Sequence, residues 1–223
     1  MAKTGKNTST AGSFSLECVL CPRLSDHLAG IRTEYPGYHA RPVAPFGDTD
    51  PALLIVGLAP GMHGANRTGR PFTGDHAGIL LYDTLHKHGF SNQPTSVAND
   101  DGLALLGCRI TNAVKCLPPE NKPLPAEIRT CNTYLRTEIA SLKPGSAILA
   151  LGLIAHQAVL RSLDLRIAEF RFAHGGVHRL QHDYRLFDSY HCSRYNTQTR
   201  RLTPEMFNEV FSSIRGYLDQ RRS

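Results

Sequence analysis

The chain has 223 residues, 41% of them hydrophobic and 20% charged, which is enough to bury one sizeable core but leaves little room for a second full domain. Lysine and arginine number 25 against 19 acidic residues, so the formal net charge of +6 weakly favours a polyanionic partner. No segment approaches the roughly 18 apolar residues of a membrane span, and residues 1–13 lack the apolar stretch of a signal peptide. We therefore expect a soluble, cytoplasmic monomer with no membrane partner.

Composition divides the chain into a tail and one domain. Residues 1–13 are small and polar with scattered lysines, which predicts a disordered tail, and residues 14–223 predict a single domain. Six cysteines without an export signal indicate a reducing compartment. In that compartment thiols bind metal or lie in the core more often than they form disulfides.

Four short segments predict strands. Residues 52–56 and 147–151 are continuous apolar runs, typical of strands that are buried on both faces of a parallel sheet. Residues 109–116 and 184–190 predict the second and fourth strands in chain order.

Helical segments alternate with these strands. They are a short helix after Pro22, residues 76–88, 125–142 and 154–165, and a terminal helix that Thr203 caps and Pro204 opens. The alternation predicts an α/β fold, a three-layer α/β/α sandwich with a mostly parallel, four-stranded central sheet. A site in such a fold lies beyond the carboxyl ends of the strands, here in the loops after Val56, Lys115 and Tyr190.

The loop from Gly57 to Asp75 is rich in glycine. It matches neither a phosphate-binding P-loop nor the Gly-x-Gly-x-x-Gly pattern, which disfavours nucleoside triphosphate chemistry. Its glycines predict a backbone that approaches a ligand closely, and the alternative is merely a long turn.

Two side chains of this loop have both a structural and a chemical interpretation. Asp75 immediately precedes a predicted helix, so it is either an N-cap worth ~1 kcal/mol or a reactive carboxylate. The helix N-terminus predicts a low pKa for Asp75, and an ionised group there suits stabilising a cation or orienting water. Phe72 fits a core position, yet its polar surroundings also suit a ring that stacks on a base.

A polar and basic segment follows the fourth predicted strand. His191 stands at the strand end and is the best candidate for a catalytic donor. Arg194, Asn196, Arg200 and Arg201 predict a loop that contacts phosphates, and a solvated basic loop is the alternative.

Four cysteines have a spacing that suits metal binding. Cys18 and Cys21 form a C-x2-C pair, Cys116 ends a predicted strand and Cys131 lies on the next helix. Four thiolates without nearby histidines fit an iron-sulfur cluster or an all-cysteine zinc site, although Cys131 also fits the apolar helix stripe. Cys108 and Cys192 are interpreted as ordinary buried or incidental thiols.

Taken together in order, these motifs resemble family 5 of the uracil-DNA glycosylase superfamily, the iron-sulfur type of bacteria and archaea. The resemblance runs from Cys18 to Thr203 and includes the segments 18–21, 57–75, 110–119 and 191–199. It implies an α/β/α fold, one 4Fe-4S cluster, and hydrolysis of the N-glycosidic bond of a deaminated base in DNA. The cluster ligands would be Cys18, Cys21, Cys116 and Cys131.

The resemblance also implies roles for single residues. Asp75 would activate water or stabilise a cation, His191 would stabilise the leaving group, Phe72 would stack on the base and Asn112 would read its edge. Gly57, Ala59 and His63 complete the expected substrate-binding set. This chemistry is consistent with the charges that develop when a glycosidic bond to a base breaks.

Three positions depart from related proteins. Ala59 stands where the better-known uracil glycosylases carry Asp or Asn, an absence that family 5 shares; Arg200 stands where related loops often have glycine, and Cys192 where many have proline. The Ala59 turn suggests that hypoxanthine and xanthine are accepted besides uracil. The competing function is a non-catalytic iron-sulfur module that binds DNA or senses oxidation, which would leave Asp75 and His191 without a purpose.

Overall fold

A computed structural model describes residues 14–221, so the predicted tail, residues 1–13, lies outside the described part of the chain. The strands are β1 (Phe46–Gly47), β2 (Leu53–Gly57), β3 (Cys108–Asn112), β4 (Ala147–Leu151), β5 (Val177–Arg179) and β6 (Arg185–Ser189). The α-helices are α1 (Pro22–Glu34), α2 (Ala65–Thr68), α3 (His76–Lys87), α4 (Pro125–Ala140), α5 (Leu153–Ser162), α6 (Arg194–Gln198) and α7 (Pro204–Asp219). None of these helices is long and apolar enough to cross a membrane.

One sheet contains all six strands in the order β1-β3-β2-β4-β6-β5. The four central strands are parallel, and their register pairs Ile55 with Ile110 on one side and with Leu149 on the other. These are the four predicted strands. The prediction of a four-stranded sheet was nevertheless wrong, because β1 and β5 add an antiparallel strand at each edge.

The second predicted strand, residues 109–116, also ends earlier than expected. Its pairing with β2 ends where Asn112 lies opposite Gly57, the last residue of β2. Residues 113–116 form a bend instead of a strand, although the amides of Ala113 and Val114 still donate to the carbonyls of Gly57 and Leu58 at 2.9 and 3.0 Å.

Helices cover both faces of the sheet, which confirms the predicted α/β/α layers. Alternate residues of β2 point to opposite faces. Leu53 and Ile55 pack in a core with residues of α3 and α7, such as Leu81 and Phe207. Leu54 and Val56 pack on the other side with α4 and α5, and α1 joins a third, smaller core beside α4.

The helix ends follow local side-chain chemistry. The Thr203 side chain accepts a hydrogen bond of 3.2 Å from the amide of Met206, which confirms the predicted cap of α7. The short helices α2 and α6 were not predicted. They interrupt the glycine-rich loop and the basic segment, which places Arg194 and Asn196 on a helix instead of an open loop.

Candidate active site

A cleft of about 650 Å³ lies where the parallel strands end. It brings together four predicted side chains from three separate segments: Phe72 and Asp75 after β2, Asn112 at the end of β3, and His191 after β6. Ala59 lines the same cleft. This position agrees with the rule that sites in parallel sheets lie beyond the carboxyl ends of the strands.

Asp75 both caps a helix and faces the cleft. Its Oδ1 accepts a hydrogen bond of 2.8 Å from the amide of Gly78, so the predicted N-cap of α3 is confirmed. Its Oδ2 faces Gly64, where an added Cβ would stand only 2.6 Å from that oxygen. Glycine is therefore required at position 64 for the carboxylate to occupy its place, and one oxygen stays available for chemistry.

The expectation of a low pKa for Asp75 was wrong. Burial raises the pKa of this carboxyl above its ordinary value, although the amides of Gly78 and Ala77 act in the opposite direction. The helix N-terminus is evident from the sequence, whereas the loop that encloses the carboxylate is not.

Phe72 and His191 form the opposite part of the cleft. Their rings are stacked with centroids 5.8 Å apart and planes inclined by 27°. Phe72 has a φ of 54°, in the left-handed region that side chains rarely adopt, and it is 6% exposed. Gly57 lies directly against the Phe72 ring, because an added Cβ at position 57 would stand 2.7 Å from that ring and 2.4 Å from Asn112 Oδ1.

His191 is uncharged at neutral pH. Desolvation by its surroundings lowers the pKa of the imidazole to about 4. Its backbone is fixed as well, because the Asn196 side-chain amide donates a hydrogen bond of 2.7 Å to the His191 carbonyl. The site therefore presents a neutral, positioned imidazole.

A buried lysine, Lys115, binds the backbone carbonyl of Asn112. Lys115 is 1% exposed, forms an ion pair of 2.6 Å with Glu138, and donates through Nζ to the Asn112 carbonyl at 3.0 Å. The Asn112 Oδ1 atom is buried and accepts no hydrogen bond from the described residues. An unpaired buried acceptor costs about 1–3 kcal/mol, which a ligand that donates a hydrogen bond would recover.

The other predicted binding residues occupy different places. His63 does not line the cleft; it is exposed, and its Nδ1 is 2.9 Å from the Tyr38 hydroxyl. The Asn196 amide is engaged with His191 and is not free for a phosphate. Arg201 lies over the Tyr190 ring at 4.6 Å, and Arg200 has a φ of 57°, a conformation that favours glycine.

Sequence reasoning missed several cleft residues. Leu153 and Ile154, at the start of α5, and Asn121 line the cleft. The signal for the first two was available, because they follow directly on the carboxyl end of the third predicted strand. For Asn121 the sequence offers no such signal.

The four predicted metal-binding cysteines lie together in a cavity that shares none of its described lining residues with the cleft. Cys18, Cys21, Cys116 and Cys131 line one narrow cavity that also contains Leu20, Leu24, Pro42 and Tyr134. The amide of Lys115 donates to Cys131 Sγ at 3.2 Å, and the Tyr134 hydroxyl donates to Cys18 Sγ at 3.1 Å. Cys108 and Cys192 are buried elsewhere, as predicted.

A buried charge network lies behind the His191 segment. His156 and Asp188 are 0% exposed, and the two His156 ring nitrogens contact Asp188 Oδ1 at 2.8 Å and the Phe170 carbonyl at 2.9 Å. Both partners only accept, so both nitrogens donate and the ring is an imidazolium. Burial is the largest single influence and opposes this charge, but the hydrogen bond to Asp188, the charge of Asp188 and the Phe170 carbonyl together outweigh it and raise the pKa of His156. The second Asp188 oxygen is 3.1 Å from His178 Nε2.

This network predicts a dependence of stability on pH. Because the pKa of His156 is raised on folding, its contribution is complete below the unfolded value of about 6.5 and is lost as pH rises through the folded value. We expect the thermal midpoint to fall as pH rises above about 6.5, and His156→Gln to remove part of that fall. Identical slopes of midpoint against pH for both proteins, measured by calorimetry, would contradict the assignment.

The α/β/α fold and its cleft agree with one superfamily of enzymes. The family model of the Uracil DNA glycosylase superfamily matches residues 44–215, and the chain belongs to this superfamily. Within it the chain belongs to the type-5 family, as the resemblance predicted. It is 48% identical over 198 residues to the type-5 uracil-DNA glycosylase of Thermus thermophilus, covering 86% of this chain and 90% of that protein.

Other relatives agree with this placement. The type-5 uracil-DNA glycosylase of Pyrobaculum aerophilum is 42% identical over 199 residues, 87% of this chain and 86% of that protein. A type-4 uracil-DNA glycosylase of the same organism is 37% identical over 130 residues, 58% of each chain. The chain is therefore an enzyme of a family that hydrolyses N-glycosyl bonds.

Proposed function

We propose that this protein hydrolyses the N-glycosidic bond of uracil in DNA and leaves an abasic site. The observation that carries the proposal is the convergence of Phe72, Asp75, Asn112 and His191 from three segments on one cleft. To reach this cleft the target nucleotide leaves the duplex, which costs a few kcal/mol and least at a mispaired base.

The two titratable groups suit the two charges of the reaction. As the bond breaks, positive charge develops on the sugar and negative charge on the base. The Asp75 carboxylate opposes the first charge, and its raised pKa makes it a better acceptor for a proton of the attacking water than an ordinary aspartate. The neutral His191 donates a hydrogen bond to a carbonyl oxygen of the departing base and opposes the second.

The same cleft supplies recognition of the base. The unpaired Asn112 Oδ1 suits an N–H group at the base edge, and the Phe72 ring offers a stacking surface. Ala59 adds no polar side chain, and the cleft volume of about 650 Å³ suits a ligand of nucleoside size. We extend the proposal on these grounds to hypoxanthine and xanthine.

We further propose that the four cysteines hold a 4Fe-4S cluster. The four cysteines line one cavity, and among the described residues no histidine lines it with them. The donor groups of Lys115 and Tyr134 on two of the sulfurs fit the hydrogen bonding that an iron-sulfur cluster receives from its surroundings. When bound, the cluster would cross-link the chain before α1 to the segment after β3 and to α4.

The exposed basic residues suit contact with the phosphates that flank the target. Arg194 and Arg200 are exposed, and neither side chain makes an ion pair or hydrogen bond with another described residue. Cationic groups of this kind supply most of the affinity for DNA and make it depend on salt.

The proposal is tested by incubating the purified protein with duplexes that contain one uracil, hypoxanthine or xanthine, followed by alkaline cleavage. Strand scission at uracil is the expected result. Binding to all duplexes without scission at any of them would instead support the non-catalytic DNA-binding alternative. The same duplexes with undamaged bases are the control.

The close approach of Gly64 to Asp75 yields a prediction. Gly64→Ala would place a methyl group within 2.6 Å of Asp75 Oδ2, so the carboxylate must move, and we expect kcat to fall by about 100-fold. Gly61→Ala is the matched comparison, since its methyl would stand 3.7 Å from the same oxygen, an ordinary contact. Equal activity of the two variants in single-turnover assays would show that the position of this carboxylate does not limit the reaction.

The neutral state of His191 yields a further prediction. Its pKa of about 4 lies well below the ordinary histidine value of about 6.5, so the imidazole donates unchanged throughout the neutral range. Nitrogen NMR of labelled histidine, assigned with His191→Gln, checks this directly. A His191 signal that titrates between pH 6 and 7 would contradict a neutral donor held by desolvation.

A further inference from the structure

A second groove adjoins the cleft and shares Asp75 as a common wall. This groove, named the flanking groove, has a volume of about 620 Å³ and lies between the start of α3, residues 94–97 and Arg194. Apart from Asp75 it shares no described lining residue with the cleft, and of its other lining residues only Arg194 has been given a role above.

The outer wall of the flanking groove is braced by a buried ion pair. Asp101 Oδ2 accepts hydrogen bonds from the amides of Val97 and Ala98 at 2.8 and 3.2 Å, and from Arg70 at 2.7 Å. Arg70 is 2% exposed, and it also donates to the Ser96 hydroxyl at 2.7 Å. The wall is thus a fixed surface in the folded protein.

Further hydrogen bonds connect the outer wall of the flanking groove to Thr73 and Gly74, which directly precede Asp75. The amide of Gly74 donates to the Ser96 carbonyl at 3.1 Å, and Arg70 Nε donates to the Thr73 hydroxyl at 2.8 Å. On the other side, His76 Nε2 is 3.0 Å from the Thr197 hydroxyl, which joins α3 to α6. These contacts therefore fix the position of the flanking groove relative to the cleft.

The surface of the groove combines apolar groups with a free cation. Ile79 and Val97 are 68% and 62% exposed, although single exposed apolar residues are common and carry little by themselves. Arg194 has no partner for its side chain among the described residues. The acidic Asp83 is neutralised by Lys87 at 2.6 Å.

We propose that the flanking groove binds the nucleotide adjacent to the everted one on the same strand, with its base against Ile79 and Val97 and its phosphate at Arg194. The inference rests on the proposed function. A neighbouring nucleotide is joined to the target by a single phosphodiester, so its site must adjoin the cleft, as this groove does. Eversion removes one stacking partner from that neighbour, and apolar side chains on a fixed wall replace it.

The test uses Ile79→Ser/Val97→Ser in the full-length protein, with Val177→Ser as the matched control. Val177 is a similarly exposed valine on the edge strand β5. Binding of labelled, uracil-containing oligonucleotides is measured by fluorescence anisotropy, with thermal midpoints recorded for each variant. We expect the double variant to weaken Kd by about tenfold, as lost apolar burial of this size implies, and the control to match the wild type.

Two further experiments test which nucleotide occupies the flanking groove and whether Arg194 contacts its phosphate. Oligonucleotides that end directly 5′ or directly 3′ of the uracil are compared, and the difference between wild type and double variant should vanish for only one of them. Arg194→Gln should reduce the slope of log K against log salt by about 0.7–0.9, one phosphate contact, whereas Arg161→Gln, at the far end of α5, should leave it unchanged.

The outcomes separate the two proposals. Wild-type protein that binds DNA but does not excise uracil would overturn the proposed function. If the double variant and Val177→Ser had equal affinities for every oligonucleotide, the proposal that the flanking groove binds a nucleotide would be overturned. A Kd difference that persists on both truncated oligonucleotides would also overturn it, because the occupant would then not be the adjacent nucleotide.

Discussion

Asp75→Asn is expected to lower kcat for uracil excision by about 1,000-fold while leaving the thermal midpoint nearly unchanged. Asparagine caps a helix as well as aspartate does, so the hydrogen bond from the amide of Gly78 to the side chain is retained. What the substitution removes is the negative charge and the proton-accepting capacity of Oδ2, which faces the cleft. Single-turnover excision and calorimetry on the same preparation measure the two effects.

Asp75→Ala separates the capping role from the chemical one. It removes the cap as well, which costs ~1 kcal/mol and lowers the midpoint by about 2–4 °C in a protein of this size. If Asp75→Asn retained wild-type activity and only Asp75→Ala lost it, the carboxylate would serve α3 alone. His191→Ala, expected to cost about 100- to 1,000-fold, gives the corresponding measure for the leaving group.

Cys116→Ala is expected to abolish the visible absorption of an iron-sulfur cluster and to lower the thermal midpoint by about 10–20 °C, if the cross-link contributes about 5 kcal/mol. Cys116 lies just beyond β3, and its neighbours in the cavity come from the segment before α1 and from α4. Loss of the cross-link therefore frees two separate parts of the chain from the third core. Iron and sulfide content, absorption and calorimetry are the measurements.

Cys108→Ala is the matched control, since Cys108 is a fully buried thiol of β3 outside the cysteine cavity. It should retain iron and lose only the small stability that a shortened core side chain costs, about 1 kcal/mol. A colourless wild-type protein that carries one zinc would contradict the cluster. A midpoint for Cys116→Ala equal to that of Cys108→Ala would show that the cysteine site does not support the fold.

The central sheet could be predicted because its strands carry their signal locally. Residues of β2 and β4 are apolar without interruption, and α7 has both a cap and a proline at its start. The edge strands β1 and β5 have two and three residues, too few for any periodicity to appear. Their pairing is set by neighbours far along the chain.

The site shows the same division between local and distant causes. The Asp75 cap depends on the next three residues and was predicted, whereas the raised pKa of Asp75 depends on a loop folded over it. The support of Asn112 by Lys115 requires Glu138, and the brace of the flanking groove joins Arg70 to Asp101. Pairs of this kind form only after the layers pack, so no spacing in the sequence reveals them.

The two short edge strands also bear on how the protein behaves at high concentration. An uncovered outer strand of a parallel sheet offers a row of free amides and carbonyls to which another chain can add. Here β1 and β5 run against their neighbours and end after two and three residues. They offer almost no template for intermolecular pairing, so this sheet should resist edge-to-edge aggregation as long as its ends stay folded.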